Sequence, residues 1–278
     1  MSPATPFKGI NTTRPLAGQT HLVLGAIDPK SIGYRIAWRL QQQGATVALT
    51  AEPRRLGRTL RFAKDLPVPL GTEAVFPLDV NEPISREVVA AIAEHCGGAL
   101  ESIIDTVAFA PMVALGDDLL NQDPEELAKA LEMAVSTSAT SVFRVVTAML
   151  PLLKEGKHPS VLGLTFGDGR VWPGYGGMGV AKAALEAAFR QLALELALHG
   201  IRANTVLAGP LQTPASGAIP GFKQILDAVA KLPFAWDSAD ADVVADACLA
   251  VLSPAFRGMT GEVVRVQGLL GVMGTTGQ

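Results

Sequence analysis

Seven short runs rich in aliphatic and β-branched residues alternate with longer stretches of helical pattern, and this alternation constrains the fold most. The runs are His21–Leu24, Thr46–Thr50, Ala74–Leu78, Ser102–Val107, Val161–Thr165, Arg202–Leu207 and Glu262–Val266. Between them lie helical patterns over Ser31–Gln43, Ile84–His95, Pro124–Leu150 and Met178–His199. Strands alternating with helices indicate βαβ units and a parallel sheet. The strand cores are apolar on successive residues, as expected when helices cover both faces. No repeat, long linker or composition break divides the chain, and 278 residues suit one large α/β domain.

Composition narrows the classes further. Apolar residues make up 49 % and charged residues 18 %, which excludes a disordered chain. The net charge is −3, with no basic stripe, so nucleic acid is not an expected partner. Cys96 and Cys248 are far apart, with no CxxC or His cluster beside them. They read as reduced packing residues of a cytoplasmic protein, and no metal site is expected. The longest uncharged run, Ala203 to Phe222, is broken by Gly209, Pro210, Pro214, Gly217, Pro220 and Gly221. That describes an apolar loop and not a membrane span, which needs about 20 uninterrupted apolar residues. Residues 1–19 hold three prolines and no apolar segment, and read as a flexible extension before a domain over 20–278.

In an open parallel sheet, ligands bind at the carboxyl ends of the strands. After the first run comes Gly25-Ala26-Ile27-Asp28-Pro29-Lys30-Ser31-Ile32-Gly33. Of the G-x-G-x-x-G fingerprint, only the first and last glycines have counterparts, Gly25 and Gly33. Ser31 suits a helix cap, and the helix start offers amides and a positive dipole end to a pyrophosphate. An ordinary strand-to-helix turn has the same look. The reading is an α/β, Rossmann-like doubly wound, seven-stranded parallel sheet flanked by helices. Glu52 follows the second run, where a carboxylate accepts hydrogen bonds from a ribose and repels a 2′-phosphate. That favours NAD over NADP, although Arg54 and Arg55 come next. Asp79 stands where its carboxylate meets an adenine amino group, or caps a helix before Pro83.

Tyr175 and Lys182 lie seven residues apart. On a helix that is two turns, which predicts both side chains on one face. An ammonium near a phenol favours the phenolate and makes the phenol a better proton donor.

Taken in order, these motifs resemble one family. They are Ser31-Ile32-Gly33 after a glycine turn, Leu78-Asp79-Val80, Val107-Ala108-Phe109-Ala110-Pro111, Tyr175-x6-Lys182 with Met178, and Ala208-Gly209-Pro210-Leu211-Gln212-Thr213. Together they resemble the enoyl-[acyl-carrier-protein] reductases, a divergent branch of the short-chain dehydrogenase/reductases. The resemblance runs from about Leu16 to Met273. The wider superfamily has Tyr-x3-Lys, and position 179 here is Gly.

The resemblance implies an NADH-dependent reduction of a trans-2-enoyl thioester, on acyl carrier protein or coenzyme A, in fatty-acid or related lipid biosynthesis. It implies Gly25, Ser31 and Ile32 at the pyrophosphate, Glu52 at the adenosine ribose, and Asp79 and Val80 at the adenine. Val107 and Ala108 line the cofactor cleft, and Leu211 and Thr213 touch the nicotinamide and phosphates. Lys182 binds the nicotinamide ribose. Tyr175 meets the thioester carbonyl, with Phe166 at a second aromatic position. Ala110, Ile219 and Phe222 face the substrate, within a substrate-binding loop near 209–231. The family forms homotetramers, and the apolar Pro124–Leu150 and Met178–His199 patterns suit such an interface.

Four departures stand out. Asp105-Thr106 replaces His-Ser, Gln212 replaces Arg, Val266-Gln267-Gly268-Leu269 replaces an acidic glycine-rich ending, and Tyr175-Gly176-Gly177 carries extra glycine that predicts a looser helix start. Two other readings stay open at this point. One is a short-chain reductase of another activated alkene or ketone, and the other is a non-catalytic nucleotide-binding paralogue.

Overall fold

The computed structural model describes residues 15–167, 169–231 and 236–273. Its seven strands are β1 (Thr20–Leu24), β2 (Thr46–Ala51), β3 (Val75–Pro77), β4 (Ser102–Asp105), β5 (Ser160–Thr165), β6 (Arg202–Ala208) and β7 (Val263–Val266). They form one sheet in the order β3-β2-β1-β4-β5-β6-β7, and every pairing is parallel. The α-helices are α1 (Ile32–Gln42), α2 (Leu56–Ala63), α3 (Arg86–His95), α4 (Pro124–Val135), α5 (Ser141–Leu153), α6 (Gly177–Ala197), α7 (Phe222–Val229), α8 (Asp242–Leu252) and the short α9 (Leu270–Met273). The order reverses between β1 and β4, so the ligand crevice of this doubly wound sheet opens at their carboxyl ends.

Local chemistry starts the helices. Ser31 and Ser85 cap α1 and α3 by accepting from the amides of Tyr34 and Val88, each at 3.3 Å. Asp123 caps α4, with Pro124 in its first turn beside Glu125 and Glu126. Two buried apolar clusters cover the two faces of the sheet. One gathers Val23, Ile36, Leu40, Leu49 and Cys248 under α1, α2 and α8. The other gathers Leu22, Ile103, Val145, Met149, Leu185 and Phe189 under α3, α5 and α6. Cys96 and Cys248 are both buried and free.

Three features differ from the sequence reading. The Pro124–Leu150 pattern is two α-helices joined by a π-helical turn over Ser136–Thr140. The Pro124–Leu153 stretch is long and apolar enough to cross a membrane by length and composition, with half of its window buried inside the fold. Residues 1–14 of the expected N-terminal extension lie outside the described residues. Its last residues belong to the fold, because the Leu16 amide donates to Gln43 O at 3.1 Å and the Thr46 amide donates to Gln19 O at 2.9 Å.

Candidate active site

The β1–α1 turn is shaped by Thr106. Gly25 has φ +84°, and a Cβ there would lie 2.7 Å from Thr106 Oγ1. A Cβ on Gly33 would lie 2.5 Å from the same oxygen. That hydroxyl is held by donation to Leu24 O at 2.6 Å. The two glycines therefore let β1, the start of α1 and the end of β4 close on one another. The first amides of a helix have no intrahelical partner. Ser31 takes that of Tyr34, which leaves those of Ile32 and Gly33 as the first-turn amides that could serve an anion. A cavity of about 310 Å³ joins this turn, through Pro29, Lys30 and Arg35, to Leu211 and Gln212 after β6.

After β2, where the sequence reading expects the adenosine, the Glu52 carboxylate holds Arg54 at 2.6 Å and Arg55 at 3.3 Å. Arg58 from α2 crosses to Asp28 at 2.8 Å. Asp79 Oδ1 accepts the Asn81 amide at 2.9 Å, and the Val80 carbonyl accepts from Arg144 at 2.9 Å. Val107 is half-buried and Ala108 exposed at the end of β4. The π-helical turn fixes the wall beyond them, since buried Ser138 Oγ accepts the Phe109 amide at 2.8 Å and donates to Phe109 O at 2.9 Å. Thr213 is spent locally, because its hydroxyl accepts the Ser216 amide at 3.2 Å and its own amide donates to Ser216 Oγ at 2.9 Å.

Tyr175 does not lie on the helix that carries Lys182. α6 begins at Gly177, and Gly176, at φ +47°, precedes it. A Cβ on Gly176 would meet Ala114 O at 2.7 Å and Gly116 O at 2.8 Å. A Cβ on Gly174, also at positive φ, would meet Pro220 O at 1.8 Å. The extra glycines thus permit close packing and not a loose helix start. Asp117 adds to the clamp by accepting the Gly174 amide at 2.7 Å.

The Tyr175 ring packs edge-on against Phe166 at 5.0 Å, and Phe166 meets Phe222 at 6.2 Å and Trp172 at 5.1 Å. Ala110 and Ile219 pack on the same apolar cluster. Burial pushes the phenol of Tyr175 up. Lys182 donates to Leu164 O at 2.7 Å, and burial holds its ammonium down to about 8 against the pull of Asp105 and Glu186. Asp105 is buried, accepts the Val107 amide at 2.9 Å, and is pushed up to about 6 by burial.

Trp172 is the residue that motif spacing misses. Its only signal is a large aromatic residue three positions before Tyr175. Among the described residues, no group of His, Cys, Asp and Glu is arranged to hold a metal ion.

A family model described as Enoyl-(Acyl carrier protein) reductase matches residues 25–268. The chain belongs to the enoyl-(acyl carrier protein) reductase family. It is 32 % identical over 266 residues to enoyl-[acyl-carrier-protein] reductase [NADH] FabI of Aquifex aeolicus (strain VF5), covering 95 % of each chain. It is 32 % identical over 255 residues to the enzyme of that name from Neisseria meningitidis serogroup B (strain ATCC BAA-335 / MC58), covering 91 % of this chain and 95 % of the relative. The crystal structure of the Aquifex aeolicus VF5 reductase superposes with a TM-score of 0.80 at 30 % identity, over 93 % of this chain and 98 % of that one.

Proposed function

We propose that the chain reduces the 2,3-double bond of a trans-2-enoyl thioester with NADH, as a step of fatty-acid biosynthesis, and that acyl carrier protein presents the thioester. The observation that carries this reading is the buried phenol of Tyr175, packed against Phe166 and with no hydrogen bond to another described residue, in a chain matched to the family over residues 25–268. The residues fit the cofactor, since the free amides of Ile32 and Gly33 suit a pyrophosphate and Glu52 suits a ribose.

NADH, when bound, supplies the hydride that adds to the β-carbon. Negative charge then develops on the thioester oxygen. The Tyr175 hydroxyl, kept protonated by burial, donates a hydrogen bond to that oxygen. Lys182, freed from Leu164 O, binds the nicotinamide ribose and orients it. Ile219 and Phe222 cover the acyl chain and keep water out. Ala110 lies beside the chain, and Val107, Ala108, Asp79, Val80, Leu211 and Thr213 line the cofactor's path.

We assign the chain to the cytoplasm as a homotetramer. Its free buried thiols suit a reducing compartment. Met133 on α4, Val180 and Leu194 on α6, and Leu198 at its C-cap are large apolar side chains left exposed, which supports a subunit interface there. Neither membrane nor nucleic acid is proposed as a partner, because half of the apolar Pro124–Leu153 window is buried and the net charge is −3.

The test is NADH oxidation at the nicotinamide absorbance, with a trans-2-enoyl thioester as acceptor. Saturable, thioester-dependent oxidation is expected. Binding of NADH without oxidation by any enoyl thioester would overturn the reading.

A further inference from the structure

Trp172 is almost wholly buried, at 4 % exposure. Its Nε1–H has no acceptor among the described residues. A buried donor left unpaired loses its hydration with nothing in return, so native folds rarely keep one without a use. His21, Thr59 and Ser160 also hold unpaired buried atoms, but they lie at the amino ends of strands or on α2. The indole of Trp172 instead packs on Phe166, the ring that also meets the candidate catalytic phenol.

Its surroundings say what kind of partner fits. The indole packs on Phe166 at 5.1 Å, and Phe166 also meets Tyr175 and Phe222. The indole is thus one ring removed from the phenol that takes the reacting carbonyl. The loop before α7 lies directly on this segment, since no room for a Cβ separates Gly174 from Pro220 O. Trp172 therefore belongs to an aromatic and apolar cluster on the segment that the loop before α7 touches. Such a cluster suits an acyl tail and not the amide-rich arm of a carrier.

Building on the enoyl-thioester reading, we infer that Trp172 is a specificity-determining residue of the acyl pocket. Its ring walls the pocket, and its N–H is kept for an oxygen on the acyl chain. The favoured substrate class is an enoyl thioester whose chain carries a carbonyl or hydroxyl beyond the double bond. A plain hydrocarbon chain leaves the indole N–H unpaired in the complex. A site built to pair a polar group discriminates against an analogue that lacks it.

The experiment compares trans-2-octenoyl-CoA with an analogue that carries one ketone beyond the double bond, for the wild-type enzyme and W172F. Phenylalanine keeps an aromatic wall and removes the N–H. The wild type is expected to favour the ketone by about tenfold in kcat/KM, the size of one neutral hydrogen bond. W172F is expected to bring the two substrates level, with KM for NADH unchanged. Equal kcat/KM in the wild type overturns the inference, and this arm stands even if W172F does not fold. Retention of the preference in W172F overturns it too. So does a W172F effect that appears only between coenzyme A and N-acetylcysteamine thioesters, because that assigns the N–H to the carrier arm. If the wild type binds NADH and reduces neither thioester, the reductase reading falls with it. Equal reduction of both removes this inference alone.

Discussion

Lys182 donates its ammonium to the carbonyl of Leu164 at 2.7 Å, inside β5's end of the crevice and under the charge of buried Asp105. Asp105 pairs in register with Leu24 of β1 and Gly163 of β5, so its carboxyl group sits at the centre of the sheet's ligand edge. Burial pushes Asp105 up to about 6 and holds Lys182 down to about 8. Between those values the site holds one carboxylate and one ammonium.

The first prediction follows from that pair. The pH profile of kcat/KM should be bell-shaped, with limbs near the two values in the free enzyme. The charge of Asp105 raises the Lys182 value, so its removal must lower it. D105N should therefore lose the acid limb and move the alkaline limb to lower pH. A profile unchanged from the wild type would show that Asp105 does not set the charge of Lys182.

Removal of one hydroxyl tests the phenol. Y175F should lower kcat by roughly 100- to 1,000-fold, the range typical of one lost oxyanion donor. The dissociation constant for NADH should stay within about twofold, because the phenol acts on the substrate oxygen. Steady-state kinetics together with NADH titration read both numbers. Near wild-type turnover would remove Tyr175 from the mechanism.

Cofactor preference should turn on Glu52. Its carboxylate occupies Arg54 and Arg55. E52Q removes the repulsion of a 2′-phosphate and releases both guanidiniums to meet one. The NADH/NADPH ratio of kcat/KM should fall by about tenfold. An unchanged ratio would place the ribose elsewhere.

The packing of Gly33 gives a stability test. Alanine there puts its Cβ 2.5 Å from Thr106 Oγ1, which is tied to Leu24 O and has little freedom to move. G33A should cost about 1–3 kcal/mol by denaturant titration, as overpacking typically does. It should also weaken NADH binding, because the shift falls at the start of α1. A denaturation midpoint equal to the wild type would contradict the close approach.

The central strands are legible in the sequence because they are apolar runs buried on both faces, as in Leu22–Leu24 and Val161–Leu164, and the edge strand Val263–Val266, only partly buried, is legible from its valines. The cap at Ser31 is legible because it depends on residues three apart, whereas Ser85 falls inside the Ile84–His95 pattern and caps the helix one residue later than that pattern starts. Helices Leu56–Ala63, Phe222–Val229 and Asp242–Leu252 are not marked by the pattern, since the first two are short and follow Pro53 and Gly221. The site is legible only in its local parts. The two-turn reading of Tyr175 and Lys182 fails because the chain from 114 to 117 presses on Gly176, a tertiary contact with no local signal. The π-helical turn is invisible for the same reason, as Ser138 is held by the backbone of Phe109. Trp172 and the Asp105–Lys182 neighbourhood depend on which side chains the closed sheet brings together.

The final prediction concerns acid stability, away from the site. His21 is the second residue of β1 and is buried, with Nδ1 2.7 Å from Ser102 Oγ and Nε2 unpaired among the described residues. Burial disfavours its charged form and lowers it from the usual value to about 4. The unfolded chain keeps a value near 6.5, so between those limits the unfolded state binds more protons than the folded one. Stability from this group is complete above about pH 6.5 and is lost as pH falls toward 4. H21N keeps a polar atom near the Nδ1 position and cannot titrate. Relative to the wild type, it should therefore gain stability as pH falls through that window, by about 1–3 kcal/mol. Thermal melts of both proteins across the window measure the gap. Two curves that run parallel would show that His21 is not the group that titrates on acid unfolding.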